Sequence, residues 1–209
     1  MKNFRNMKNK RGFTLIELLA VIVILGILML VAIPAVSRTI ENARRDTFMN
    51  TAKSYINAVK NAVAADELKC GDYMISALGT GYYQVVFNSS MDSGKDLMEQ
   101  GGKSSWGNAE VKGVVLIQKT VDRDRNVHVY SIFMTDSQGR GIGGASNTNP
   151  TALISESALA RSHVKTKDGD NRKTVFGKVD DEIATVPANA TVNGESIGET
   201  APTVCVVDM

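Results

Sequence analysis

Histidine and cysteine are scarce in this 209-residue chain, with two of each. His128 and His163 lie far apart. Neither has a Cys, Ser or acid at the spacing of a nucleophilic triad or a zinc site, so no catalytic residue, metal site or cofactor is expected. Basic residues are sparse beyond the N-terminal tip. The first twelve residues hold Lys2, Arg5, Lys8, Lys10 and Arg11 and no acid, which leaves 19 basic against 22 acidic residues for everything that follows. A mildly acidic body argues against a broad nucleic-acid-binding face. Proline and glycine are both absent between Pro34 and Gly71, which permits a long uninterrupted helix.

Two motifs are formal matches only. "GRGIGG" (Gly139–Gly144) has the glycine spacing of a dinucleotide loop, but no helix opens directly after it, so an edge strand is expected. "DGDN" (Asp168–Asn171) offers oxygen ligands, yet the acid closing a twelve-residue calcium loop would fall at Val179, one step before Asp180. A solvated turn is the simpler reading. The sequons at Asn88 and Asn189 carry little weight.

What is present is a basic tip followed by a membrane-length apolar run. No charged residue occurs from Leu18 to Val36, a stretch of roughly 28 Å as a helix. The basic tip fits the positive-inside pattern of a membrane segment. An ordinary secretory signal fits poorly, because the small residue Gly12 precedes the apolar stretch instead of following it. The anomaly is Glu17. A carboxylate in a spanning helix costs roughly 2.5–3.5 kcal/mol at the centre and less near the end, so it calls for a partner.

"KRGFTLIELL", from Lys10, resembles the processing signal of type IV pilins and their relatives, the pseudopilins of type II secretion and competence systems. A basic leader, Gly12, Phe13, Thr14, Leu15, Ile16 and Glu17 stand in the family order, and the likeness continues to Pro34. The resemblance implies that a prepilin peptidase cuts between Gly12 and Phe13 and methylates the new amine. It implies that Glu17 then pairs with the Phe13 amine of a neighbouring subunit. It further implies a homo-oligomeric filament built by an assembly ATPase and its membrane platform. The precursor would sit in the cytoplasmic membrane and the product in an extracellular pilus. Pro34, with Gly26, marks a span able to kink or unwind. The alternatives left open are a pseudopilin, a tip-located minor pilin, and a permanently membrane-anchored binding module.

After Pro34 the pattern turns amphipathic. Val36, Ile40, Ala43, Thr47 with Phe48, Ala52, Tyr55 with Ile56, Val59, and Ala62 with Val63 recur at three- and four-residue steps. One helix is predicted from about Thr14 to Lys69. The expected organisation is a leader over 1–12, a helix over 13–69 (13–36 apolar, 37–69 amphipathic) and a head over 70–209. The fold class is α+β, with an antiparallel sheet on the amphipathic half-helix. Strands are predicted at 82–87, 111–121, 126–135, 139–145, 173–179 and 203–208, with a hairpin turn at Asp122–Arg125. Helices are predicted at 151–163 and 95–100. Cys70 and Cys205 close a loop of 136 residues if bridged, an entropic stabilisation of at most ~5 kcal/mol; two buried thiols are the alternative in a cytosolic chain.

Overall fold

The computed structural model describes residues 12–89, 102–107, 110–123, 125–147, 149–169, 171–178 and 185–207. The expected helix at 95–100 and the leader residues 1–11 lie outside that set. The chain divides into two compact units between Asn42 and Ala43. Helix α1 (Leu15–Ala64) runs through that boundary. It ends five residues before the predicted Lys69. The chain turns through Asp66 at positive φ, and Leu68–Cys70 forms strand β1 instead.

The head contains β1, β2 (Tyr73–Met74), β3 (Gly81–Asn88), β4 (Val111–Asp122), β5 (Arg125–Asp136), β6 (Gly141–Ile142), β7 (Gly144–Ser146), β8 (Asn149–Ser155), β9 (Val164–Lys165), α2 (Arg172–Lys178), β10 (Thr191–Val192), β11 (Glu195–Ser196) and β12 (Thr203–Val207). The sheet runs β11-β10-β8-β5-β4-β3-β12-β1-β2, with β6 joined to β5 and β9, and β7 to β8. Pairing is antiparallel except for β3 with β12 and β8 with β10. The β4–β5 hairpin forms its backbone as expected, pairing Val111 with Asp136 through to Asp122 with Arg125.

Period-two alternation along β4 sends Val111, Val115 and Ile117 to one core cluster and Val114 and Leu116 to a second. The first cluster lies against the second half of α1, whose Phe48, Ala52, Tyr55, Ile56 and Val59 are fully buried. Tyr55 stacks on Phe87, with ring centroids 3.9 Å apart. The predicted stripe is buried only from Phe48 onward; Val36 and Ile40 stay exposed. Gly113 permits the closest approach in the hairpin, because a Cβ there would stand 2.2 Å from the Phe133 carbonyl oxygen.

Three assignments are corrected. Residues 151–163 are not a helix: β8 occupies Asn149–Ser155, followed by 3-10 turns at Glu156–Ala158 and Arg161–His163. Leu153 and Ile154 feed opposite clusters, and Ser155 and Ile154 pair with Ser131 and Ile132, so two-sided burial overrides helix propensity. Residues 173–178 are helix α2, not a strand. The Asp168 carboxylate accepts from the Arg172 N–H (2.9 Å) and the Lys173 N–H (3.4 Å), and Val175 fills the second cluster. The 139–145 segment is not one edge strand. Gly143 at positive φ breaks it into β6 and β7, and β6 lies between β5 and β9.

Candidate functional site

The N-terminal unit places the processing residues in the open. Gly12 has nothing within 4 Å of where a Cβ would stand, and Phe13 is 89% exposed. Thr14 is the residue just before α1, and Glu17 is the third residue in. The Thr14 N–H and hydroxyl both donate to Glu17 Oε2 at 2.8 Å, and the Glu17 N–H donates to Thr14 Oγ1 at 3.3 Å. This reciprocal pair is a capping box, which satisfies N–H groups that a helix start otherwise leaves open. Sequence reasoning placed Thr14 in the motif but missed its capping role, although the T-x-x-E spacing in "TLIE" was there to be read.

Behind the cap, α1 is long and apolar enough to cross a membrane. Its large apolar side chains from Leu15 to Ile33 are exposed. An apolar surface of that extent marks a membrane or a protein contact. The helix continues through Pro34, which has no N–H for the Leu30 carbonyl. Just beyond, the hydroxyls of Ser37 and Thr39 donate back to the Ile33 and Ala35 carbonyls at 2.9 and 3.1 Å. Such back-bonding bends helices, so weakness concentrates around Pro34.

In the head, Cys70 and Cys205 form a disulfide between directly opposed residues of β1 and β12. Both are buried. The bridge does not reach the helix end itself; it joins the last strand to the strand that follows the helix. Because β12 lies between β3 and β1, the five final described residues form an interior strand that joins β1 and β2 to the rest of the sheet.

The residues set aside earlier have structural duties. Asp168 caps α2. Among the described residues no cluster of three His, Cys, Asp or Glu is placed to hold a metal ion; Asp170 lies outside them. The guanidinium of Arg172, buried beneath the glycine segment, donates to the carbonyls of Gly139 (2.8 Å), Gly143 (3.3 Å) and Lys167. Lys119 is equally buried and donates to the carbonyls of Ile75, Ser76 and Leu78 at 2.9, 3.1 and 2.7 Å. Asp136 accepts from Ser104, Arg140 and two backbone N–H groups, which fixes the turn after β5. No sequence signal distinguished these three from surface charges.

His163 ends a 3-10 turn. His128 lies opposite Lys119 across the β4–β5 hairpin, 6.4 Å from the Tyr130 ring. Its pKa is lowered, first by burial and then by the Lys119 charge. The folded head therefore binds fewer protons at His128 than the unfolded chain does. Stability is retained above the unfolded value near 6.5 and declines as pH falls through it, until the lowered folded value is passed. A denaturant midpoint that drops between about pH 7 and pH 5 is expected, and His128→Asn should flatten that profile. A variant with an unchanged slope would place the acid sensitivity elsewhere.

Two comparisons bear on the N-terminal geometry. Residues 7–33 match the model of the prokaryotic N-terminal methylation motif. Two fimbrial proteins of Pseudomonas aeruginosa are each 32% identical to this chain over 146 residues, covering 62% of it and 88% of the relative. The chain belongs to the type IV pilin family. The likeness therefore extends well beyond the N-terminal motif and into the head. No solved structure matches this pilin significantly. As a pilin it is a structural subunit, and the exposed apolar start of α1 is its family element.

Proposed function

We propose that this pilin is the repeating subunit of a type IV pilus filament. The observation that carries the proposal is the helix start: an exposed Gly12–Phe13 junction, a capped Glu17 and a wholly exposed apolar helix. The two fimbrial relatives favour a displayed filament over a pseudopilin. Prepilin peptidase removes residues 1–12 and methylates the Phe13 amine. The apolar part, 13–36, is held first by the membrane and then by neighbouring helices. The amphipathic part of α1, which ends at Ala64, carries the β-rich head to the cell surface. An assembly ATPase and its membrane platform supply the work.

Glu17 acts as a latch between copies. Both hydrogen bonds to its carboxylate within the chain end on Oε2, and Oε1 takes the Phe13 amine of the adjacent subunit. A carboxylate in apolar surroundings is tolerated only when paired, so the pairing fixes the axial register of the helices. Pro34, with Gly26, lets the intervening turn adjust as helices pack.

Gly12→Val is expected to leave the precursor uncut, because a branched side chain would fill the space open at the scissile bond. Intact mass measurement should then find the leader on nearly all of the protein. Undiminished cleavage would show that the bond is misassigned. For the native chain, the test is mass spectrometry of the N-terminal peptide from sheared surface filaments and from membranes. A methylated Phe13 terminus in the sheared fraction supports a displayed pilus. The same terminus confined to membranes would indicate a pseudopilin, and an uncut leader in both would indicate a fixed anchor.

A further inference from the structure

Between β8 and β9 the chain crosses the side of α1 without joining the sheet. Residues 156–163 form two 3-10 turns, Glu156–Ala158 and Arg161–His163, and no strand. Each turn closes on one backbone bond: the Leu159 N–H donates to the Glu156 carbonyl (3.3 Å), and the His163 N–H donates to the Ala160 carbonyl (3.0 Å). We propose that this segment is a strap that opens and closes over α1 as a unit while the sheet stays folded, with ionic strength setting how much of it is closed. The proposal goes beyond filament formation and does not depend on it.

Both roots of the strap are fixed. Ser155 pairs with Ser131 of β5, its N–H donates to Asn193 Oδ1 (3.1 Å), and its hydroxyl accepts from Asn193 Nδ2 (2.7 Å). Val164 is fully buried and pairs with Ile142 of β6. Motion of the strap therefore stops at these two residues instead of spreading into the ladder.

Between the roots, three side chains hold the strap down. Leu159 enters the first core cluster. Lys60 Nζ donates to Glu156 Oε1 at 2.5 Å, and the Arg161 guanidinium donates to both Asp46 oxygens, from Nε at 2.6 Å and from Nη2 at 2.5 Å. Asp46 and Lys60 are about four helical turns apart, so they share one side of α1 and the strap lies lengthwise along it. Both pairs reach water, with side-chain exposures of 36% and 33% for Lys60 and Glu156 and of 50% and 37% for Arg161 and Asp46. Salt therefore screens them, as the Debye length falls from about 14 Å at 0.05 M to about 4 Å at 0.5 M. Leu159 holds by apolar burial, which sodium chloride does not screen. One group favours release: His163 Nδ1 is buried with no hydrogen-bond partner, and opening gives it water. Opening lifts Leu159 out of the core and uncovers the side of α1 between Asp46 and Lys60.

The full processed chain in a nonionic detergent is followed by hydrogen–deuterium exchange, resolved by fragmentation in the mass spectrometer. The reporters are the Leu159 and His163 amides, whose bonds close the two turns. They are expected to exchange at least ~tenfold faster than the amides of β4 and β5, and about threefold faster again in 0.5 M than in 0.05 M sodium chloride, with β4 and β5 unchanged. Glu156→Gln and Arg161→Asp should each speed the reporters at low salt and shrink the salt response. Asp46→Arg added to Arg161→Asp should restore low-salt protection, which side chains that only fill space would not do. Leu159→Ala should speed exchange of the His163 amide at both salt concentrations and keep their ratio. Reporters as slow as β5, a wild-type rate indifferent to salt, or no recovery in the swapped pair would overturn the proposal.

Discussion

Glu17→Ala is expected to give normally cleaved and methylated protein that accumulates in the membrane, with surface filaments reduced at least ~tenfold. Such a reduction needs only about 1.4 kcal/mol per subunit contact, less than the cost of burying an unpaired ammonium when its carboxylate partner is removed. The capping box complicates a simple alanine test. Removing Glu17 also removes the acceptor for the Thr14 N–H and hydroxyl, a local loss of about 1 kcal/mol. Glu17→Gln separates the two roles. A glutamine keeps an oxygen for the Thr14 N–H and so preserves the cap, but it has no charge for the neighbour's amine. The latch requires Gln to be nearly as defective as Ala. If Gln assembles normally while Ala does not, Glu17 serves the helix start alone and the latch is wrong. Thr14→Ala gives the reverse control: it weakens the cap, keeps the charge and should retain most filaments. Counting filaments by electron microscopy alongside the N-terminal mass decides among these outcomes.

The second large effect belongs to the disulfide. Replacing Cys70 and Cys205 together with serine should lower the melting midpoint of the head by roughly 10–15 °C. The bridge spans a sequence separation of 135 residues, and loss of a native disulfide closing so long a loop costs about 3–5 kcal/mol. In a domain of this size each kcal/mol moves the midpoint by about 2–4 °C. The position of β12 adds to the effect. A strand between β3 and β1 carries ladder bonds on both sides, so fraying of the C-terminus also parts β1 and β2 from the rest of the sheet. Circular dichroism melts of the double variant and of wild type under reductant should agree. A shift below about 3 °C in both would mean that the sheet holds β12 without the bridge.

The N-terminal third was legible because its constraints are local. The basic tip, Gly12, Phe13, Glu17, the apolar run and Pro34 are meaningful by spacing alone, and the structure places Glu17, the apolar run and Pro34 on α1, which opens just after Gly12 and Phe13. The β4–β5 hairpin was equally legible, since two runs rich in β-branched and aromatic residues flank a short polar turn. The errors fell where neighbours distant in sequence decide. "KTVFGKV" has the composition of a strand, yet Asp168 and the second cluster make it α2. Residues 149–155 follow a helix-start pattern at Asn149–Pro150, yet partners on β5, β7 and β10 make them a strand.

By itself the sequence determined the family element, the membrane-length helix, the acid within it and the existence of a β-rich head. These rest on periodicity and on fixed spacings, which are properties of a short stretch of chain. Only the tertiary structure decided that α1 stops at Ala64, that the last strand inserts between β3 and β1, and that Lys119, Asp136 and Arg172 are buried. It alone placed the loop at 197–203 against the start of β3 to form a groove. Strand order, burial of a charge and closure of a groove depend on which distant residues meet, and loop closure costs so little more for a long loop than a short one that local sequence cannot rank the choices.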